Sequence, residues 1–223
     1  MSAMLEAALA YARHGIPVFP LVPNGKTPLT AHGFKDATTD EAKIMEWWST
    51  TPEANIGMPT GLVTRRSVID EDNKPWKGAT GSLTIEALTT IYGPLPETLS
   101  QTTWSGGKQT IFAYNPEAVN SAHSYGPFMD GRNDGGYIAV PPSHVVEGDR
   151  SGTYAWNADP FTTPLAAMPD WLVDADAAAR TCPRARRRAA PLGRTAGGIT
   201  RPAGPMLSSA AWARARATTP PLA

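Results

Sequence analysis

The sequence holds a single cysteine, Cys182, among its 223 residues. One cysteine excludes an internal disulfide and a cysteine-rich zinc site, and it is typical of a reducing compartment, so we expect a cytoplasmic protein. No apolar run approaches the ~18 residues of a membrane span, and the first residues lack the features of a signal peptide, so no membrane partner is expected. No phosphate-binding GxxxxGK[ST] loop is present. Histidine is scarce and shows no metal-ligand spacing: the four are His14, His32, His123 and His144.

Acidic residues are absent beyond residue 176. Positions 1–180 carry 12 basic and 20 acidic side chains, a net charge of −8, and the remaining positions carry a net charge of +8. The body therefore does not have the bulk charge of a nucleic-acid binder, and contacts with phosphates would need local placement of cations, metal ions or the tail. We divide the chain into a domain at 1–176 and a basic, Ala-, Arg- and Pro-rich tail at 177–223, which we expect to be disordered. A nucleic-acid tether, a solvated linker and the product of a shifted reading frame remain open interpretations of this tail.

The apolar periodicity of the domain predicts an α+β fold, with helices early and strand pairs late. Prolines in the first predicted strand favour an edge position, and a closing helix is expected to begin at Asp170. The predicted helices cover residues 3–14, 40–50 and 82–92, the predicted strands cover 16–22, 99–104, 108–114 and 136–140, and a last hairpin joins 145–146 to 153–156.

Two aspartates, Asp70 and Asp72, end an apolar strand beginning near Val68. Residues two apart on a strand point to the same face, so their carboxylates should converge, with Glu71 facing the other way. Close carboxylates repel each other, and a divalent cation relieves the repulsion. This arrangement is typical of two-metal phosphoryl transfer, although an Asp-x-Asp at a strand end is more often a solvated turn.

Two glycine-containing segments add to this pair. Asp130 follows two apolar residues and precedes a Gly-rich turn, which predicts a third carboxylate at a strand end beside the first two, although an ordinary Asx turn is the alternative. The run Ser105-Gly106-Gly107-Lys108-Gln109 lets backbone approach a phosphate and adds a positive charge, although most Ser-Gly-Gly segments are simple hairpin turns. Lys26 also follows a turn, after the first strand, where a surface lysine is the simplest interpretation.

In order along the chain, these elements resemble the bifunctional DNA primase/polymerases of the archaeo-eukaryotic primase superfamily. The resemblance covers about two thirds of the chain, and it is the ordered set of motifs that is specific. The matching segments are Pro17 to Leu21, Gly25 to Pro28, Gly33 to Asp40, Trp47-Trp48, Asn55 to Gly57, Asp70-x-Asp72, Gly93 to Thr98, Ser105 to Gly107, Asp130 to Tyr137, Pro141 to Ser143 and Tyr154 to Trp156.

The resemblance implies a two-lobed fold with one α/β lobe, one lobe similar to an RNA-recognition motif, and the active site between them. It implies primer synthesis and extension from (d)NTPs on a DNA template and primer, with Mg²⁺ or Mn²⁺ as cofactor. Relatives occur on plasmids, phages and integrated elements and are sometimes fused to a helicase, so a separate helicase is a candidate partner. By the same resemblance Asp70, Asp72 and Asp130 are catalytic metal ligands, and the nucleotide-binding residues are Ser105, Gly106, Gly107, Lys108, Gln109 and Arg132.

The chain departs from the family pattern at two places. Gln109 stands where the family carries a histidine that contacts the nucleotide phosphates, and an amide cannot carry the imidazolium charge, so we expect nucleotide affinity to fall by ~1–2 kcal/mol. Lys108 could compensate only from the same face, which strand alternation disfavours. Thr64 to Ser67 also interrupts the usually longer apolar strand before Asp70.

Three functional hypotheses follow. The first is an active, template-directed primase/polymerase that serves replication of a mobile element. The second is a degenerate relative that acts only as a nucleic-acid-binding replication accessory. The third is another carboxylate-metal phosphoryl-transfer enzyme, such as a nuclease.

Overall fold

The computed structural model describes residues 2–174, and these form a mixed helix and sheet structure, as the α+β prediction required. The predicted disordered tail at 177–223 lies outside the described residues. Within the described range, no helix is both long enough and apolar enough to cross a bilayer. In chain order the helices are α1 (Ala3–Arg13), α2 (Glu41–Thr50) and α3 (Gly81–Tyr92), and the strands are β1 (Phe19–Leu21), β2 (Asn55–Pro59), β3 (Arg66–Glu71), β4 (Asn73–Lys74), β5 (Ala79–Thr80), β6 (Ser100–Thr102), β7 (Lys108–Ala113), β8 (Met129–Arg132), β9 (Tyr137–Val140), β10 (His144–Glu147), β11 (Arg150–Thr153) and β12 (Ala155–Trp156).

The first two helices begin at the side-chain caps that their sequences favour. Ser2 accepts a hydrogen bond from the Leu5 amide at 3.2 Å, and Asp40 accepts one from the Ala42 amide at 2.9 Å. Such caps satisfy amide groups that have no partner inside the helix. Both helices pack on a three-stranded sheet of order β1-β2-β9, in which β1 is the proline-containing edge strand that the sequence predicts.

A five-stranded antiparallel sheet of order β12-β6-β7-β3-β8 forms the second layer. One face of this sheet, with Val68 and Ile111, packs into the same core as α1, α2 and the three-stranded sheet. The opposite face, with Ile69, Phe112 and Met129, is covered by α3 and by residues near Leu172. The apolar alternation along β3 therefore serves two separate cores. The specific two-lobed arrangement with an RNA-recognition-motif lobe stays a prediction.

Three local predictions need correction. The closing hairpin pairs His144–Glu147 with Arg150–Thr153, while Ala155–Trp156 leaves it to pair with β6. The segment before Asp70 does not break the strand, because a turn at residues 62–65 precedes six residues that are paired along β7 and partly along β8. Asp130 lies within β8 and not at a strand end, since pairing with β3 outweighs the low strand preference of its neighbour Gly131.

Candidate active site

A row of residues in register crosses the five-stranded sheet. Gln101 on β6 lies opposite Gln109 on β7, Gln109 lies opposite Asp70 on β3, and Asp70 lies opposite Asp130 on β8. Side chains at directly opposed positions of antiparallel strands project from the same face. Two carboxylates and two carboxamides therefore stand side by side, on the sheet face that also carries Val68.

This row lies at a cleft of about 400 Å³, within the size range of small-molecule sites. Asp70, Asp72 and Asp130 all line it, as do Ser105, Gln109 and Arg132 from the predicted nucleotide-binding set. The cleft also carries Lys26 and Lys74, and its wall includes Tyr137 and Tyr154. Negative and positive side chains thus share one concave surface, although the domain as a whole is acidic.

Arg132 stands between the two opposed carboxylates. Its Nη2 atom lies 2.7 Å from Oδ2 of Asp130 and 3.6 Å from Oδ2 of Asp70. On the other side, Nζ of Lys74 lies 3.2 Å from Oδ1 of Asp72. Each carboxylate of the predicted metal set therefore has a cationic neighbour in this structure.

Within residues 2–174, no group of three or more His, Cys, Asp or Glu side chains is arranged to hold a metal ion between them. The donor chemistry nevertheless fits a hard divalent cation. Asp70 and Asp130 are directly opposed in register, Asp72 lines the same cleft, and Mg²⁺ commonly uses one or two carboxylates with substrate phosphates and water as further ligands. The arrangement suits a cation site in which a bound ligand would supply the remaining oxygen donors.

The carboxyl group of Asp70 is unusually placed for an acid, because its side chain is only 18% exposed. Burial raises the pKa of this carboxyl, and neighbouring Asp130 raises it further, while Arg132, Gln109 and Lys26 act in the opposite direction. Burial likewise lowers the pKa of the Lys26 ammonium, and the positive charge of Lys74 adds to that effect. A ligand of the opposite charge would stabilise the charged form of each of these two groups.

The amide of Gln109 is fixed by a second glutamine. Gln101, which is fully buried, donates from Nε2 to the carbonyl of Ala139 at 2.8 Å and to Oε1 of Gln109. A carbonyl can only accept, so the NH₂ group of Gln101 must face Ala139, and the oxygen of Gln109 must face Gln101. The remaining NH₂ group of Gln109 then faces Asp70, which lies opposite it in the register, and lowers the pKa of that carboxyl.

Not every predicted nucleotide-binding residue reaches the cleft. Lys108 lies opposite Glu71 in the register, so it projects from the other face of the sheet, as strand alternation predicts. Gly106 and Gly107 shape the turn before β7 and do not line the cleft. A Cβ on Gly107 would lie 2.1 Å from the carbonyl oxygen of Glu71, so only glycine lets this turn pack against the end of β3.

Three functional candidates had a weak signal in the sequence. Lys26 reads as a surface lysine, and only its Gly-Lys-x-Pro context marks it. Lys74 lies two residues beyond Asp72 and reads as part of a solvated turn. Gln101 is a polar residue in a strand, and only its position opposite Gln109 in the folded sheet reveals its contact.

Fold and cleft together define a class of protein: an α+β domain with an acidic pair, flanking cations and room for a phosphorylated ligand. The comparison with family models agrees with the resemblance noted in the sequence. The model for the bifunctional DNA primase/polymerase, N-terminal, matches residues 8–171, and the chain belongs to this family. No match was found among curated proteins.

Proposed function

We propose that this chain is a template-directed DNA primase/polymerase that transfers a nucleotidyl group from a (d)NTP to a primer 3′-hydroxyl. Family membership supports the primase/polymerase class with DNA and nucleotide substrates. The observation that carries the finer proposal is the opposition of Asp70 and Asp130 in a cleft that also presents Lys26, Lys74 and Arg132.

In this proposal Asp70 and Asp130 hold Mg²⁺ or Mn²⁺, and Asp72 supplies a third carboxylate from the same cleft. The bound cation would polarise the phosphoryl oxygens and lower the pKa of the attacking hydroxyl. The carboxylates orient the reacting groups, since two of them are fixed on paired strands that resist displacement.

The cations of the cleft would receive the triphosphate. Arg132 would exchange its contact with Asp130 for one with a phosphate oxygen, which suits its planar, multiply donating guanidinium. Lys26 and Lys74 would add point charges, and the hydroxyl of Ser105 a neutral donor. Developing charge on the phosphates is stabilised best by such preorganised groups.

Gln109 takes a different part in this chain from that of the family histidine. Because Gln101 holds its oxygen, its nitrogen is directed at Asp70, and we infer that it orients the carboxylate more than it binds phosphate. Nucleotide affinity should still be lower than with an imidazolium, since charged hydrogen bonds are roughly twice as strong as neutral ones.

Primer extension tests the proposal. The purified protein is incubated with primed template, labelled dNTPs and Mn²⁺, beside Asp70→Asn and the matched control Glu53→Gln, an exposed acidic residue outside the cleft. We expect extension by the wild type and the control but not by Asp70→Asn. If neither the wild type nor the Gln109→His variant extends the primer, the result would instead favour a degenerate, nucleic-acid-binding accessory. Shortening of the DNA would favour a nuclease.

Replication of a mobile element, with help from a separate helicase, remains part of the proposal. The test is the same extension assay on a primed template with duplex DNA ahead of the primer, with and without a helicase.

A further inference from the structure

Two hairpins meet at the mouth of the cleft. The β4–β5 hairpin follows Asp72 and carries a single turn of 3-10 helix, Pro75–Lys77, at its tip. The β10–β11 hairpin approaches it, and Lys77 forms an ion pair with Glu147 across the junction. The first hairpin therefore joins the acidic strand end directly to an exposed rim.

An aromatic and cationic cluster occupies this rim. The guanidinium carbon of Arg150 lies 4.4 Å from the centroid of the Trp76 ring, and the centroids of Trp76 and Trp104 are 6.1 Å apart. Nζ of Lys74 lies 5.9 Å from the centroid of Trp104, and both of these residues line the cleft. The cluster thus runs without a break from the cleft to its outer edge.

The two tryptophans are not equally buried. Trp104 is 8% exposed and packs in a core, where it serves as a structural support. Trp76 is 38% exposed, so a large part of its indole faces water although it sits in an ordered turn. Burying that surface would release the cost of its hydration, and an indole with an adjacent guanidinium offers a flat surface with positive charge.

We propose that Trp76 and Arg150 bind an unpaired base of single-stranded DNA, so that the template strand enters the cleft across this rim. In a duplex the faces of the bases are stacked on one another, whereas a single strand presents them to aromatic and guanidinium surfaces. Lys74 and Lys77 already pair with Asp72 and Glu147, while Arg150 lies on the ring, where it can contact the base and the adjoining phosphate together. This inference rests on the proposed function for the identity of the strand, and it assigns the residues that position it.

The rim also resolves the charge problem posed by the sequence. Positions 1–180, with a net charge of −8, cannot attract DNA through their overall field. Cations that alternate with aromatic rings can bind a few nucleotides locally. Stacking of bases on the rings adds to this affinity whatever the net charge of the protein. Binding should therefore depend less steeply on salt than binding by phosphate contacts alone.

Fluorescence anisotropy of a labelled 12-nucleotide oligo-dT, measured in EDTA so that catalysis plays no part, tests the proposal. Stacking on an aromatic side chain contributes ~1–3 kcal/mol per base, so Trp76→Ala should weaken the affinity about tenfold. Trp76→Phe should retain most of the affinity, and Trp76→Leu, which keeps apolar packing but has no ring, should be as weak as Trp76→Ala. Binding of a 12-base-pair duplex should be the same in all four proteins.

Tyr92→Ala is the matched control, because Tyr92 is exposed to nearly the same extent, 37%, but lies at the end of α3 on the far side of the sheet. Its affinity for oligo-dT should equal that of the wild type. Equal affinity of Trp76→Ala, Trp76→Leu and wild type would overturn the proposal. If the wild type extends primers but the Trp76 variants bind oligo-dT as the wild type does, only the proposal for the rim is rejected. If the Trp76 variants bind oligo-dT more weakly but the wild type extends no primer, the proposed function is rejected and the proposal for the rim is retained.

Discussion

Replacement of Gln101 by leucine tests the hydrogen-bonded row beneath the cleft. Leucine keeps the side-chain size roughly constant but removes both N–H groups. The carbonyl of Ala139 and Oε1 of Gln109 would then be buried without their donor. Each unsatisfied buried acceptor costs about 1–3 kcal/mol.

One gain offsets part of that loss. Oε1 of Gln101 has no hydrogen-bond partner within the described residues, and leucine removes this buried oxygen. That removal recovers about 1–3 kcal/mol, so two acceptors lost against one recovered leave a net destabilisation of about 2 kcal/mol. For a domain of this size the melting temperature should fall by roughly 4–8 °C.

Urea denaturation of wild type, Gln101→Leu, Gln109→Leu and the double variant measures this value and its origin. Removing Gln109 as well takes away one of the stranded acceptors, so the double variant should cost less than the two single variants added together. Strict additivity, or a Gln101→Leu protein as stable as the wild type, would refute the hydrogen-bonded row. Primer extension by Gln101→Leu should also slow, because the Gln109 amide is then free to turn from Asp70.

Three further predictions concern the same cleft. Gly107→Ala should lower the free energy of unfolding, measured in urea, by about 1–3 kcal/mol, because the new Cβ meets the Glu71 carbonyl. Gly106→Ala should lower it by about 1 kcal/mol, because Gly106 has a φ of +85° but open space around its Cβ. Equal losses in the two variants would contradict the close approach at Gly107. The pKa of the Asp70 carboxyl is raised, so in EDTA the folded state holds a proton that the unfolded state releases, and stability should fall as pH rises from the ordinary pKa of 3.8 through the raised pKa. Melting curves at several pH values should show that Asp70→Asn loses this part of the dependence of stability on pH. An unchanged dependence would contradict the raised pKa. Arg132→Met should bind Mn²⁺ more tightly, because the guanidinium competes with the metal ion for the Asp130 carboxylate. The same variant should extend primers more slowly, because the guanidinium is needed to bind the phosphates. Weaker Mn²⁺ binding by this variant would argue against competition between Arg132 and the metal ion.

The helices were the most predictable part of the fold. Their caps and apolar spacing are local, and α2 begins after Asp40 as its sequence indicates. The extent of strand β8 was not predicted, because Asp130, Gly131 and Arg132 have little strand preference and only pairing with β3 makes them a strand. The same cause misplaced the last hairpin, where Ala155–Trp156 pairs with a strand more than fifty residues earlier.

The candidate site could be predicted in part, because some of its residues lie in short local motifs. Asp70, Asp72 and Asp130 belong to such motifs, and the structure brings all three to one cleft. The opposition of Gln101, Gln109 and Asp70 depends on the register of three strands, which no local pattern reveals. Trp76 was missed because a single tryptophan in a polar turn has no distinguishing spacing.

Electron paramagnetic resonance of Mn²⁺, titrated into the protein with and without a dNTP, tests the central claim most directly. If Asp70 and Asp130 hold the catalytic cation, wild type should bind Mn²⁺, a dNTP should strengthen binding by adding phosphate ligands, and Asp70→Asn should lose it while Glu53→Gln binds as the wild type does. Equal Mn²⁺ binding by Asp70→Asn and wild type, with and without nucleotide, would contradict the account.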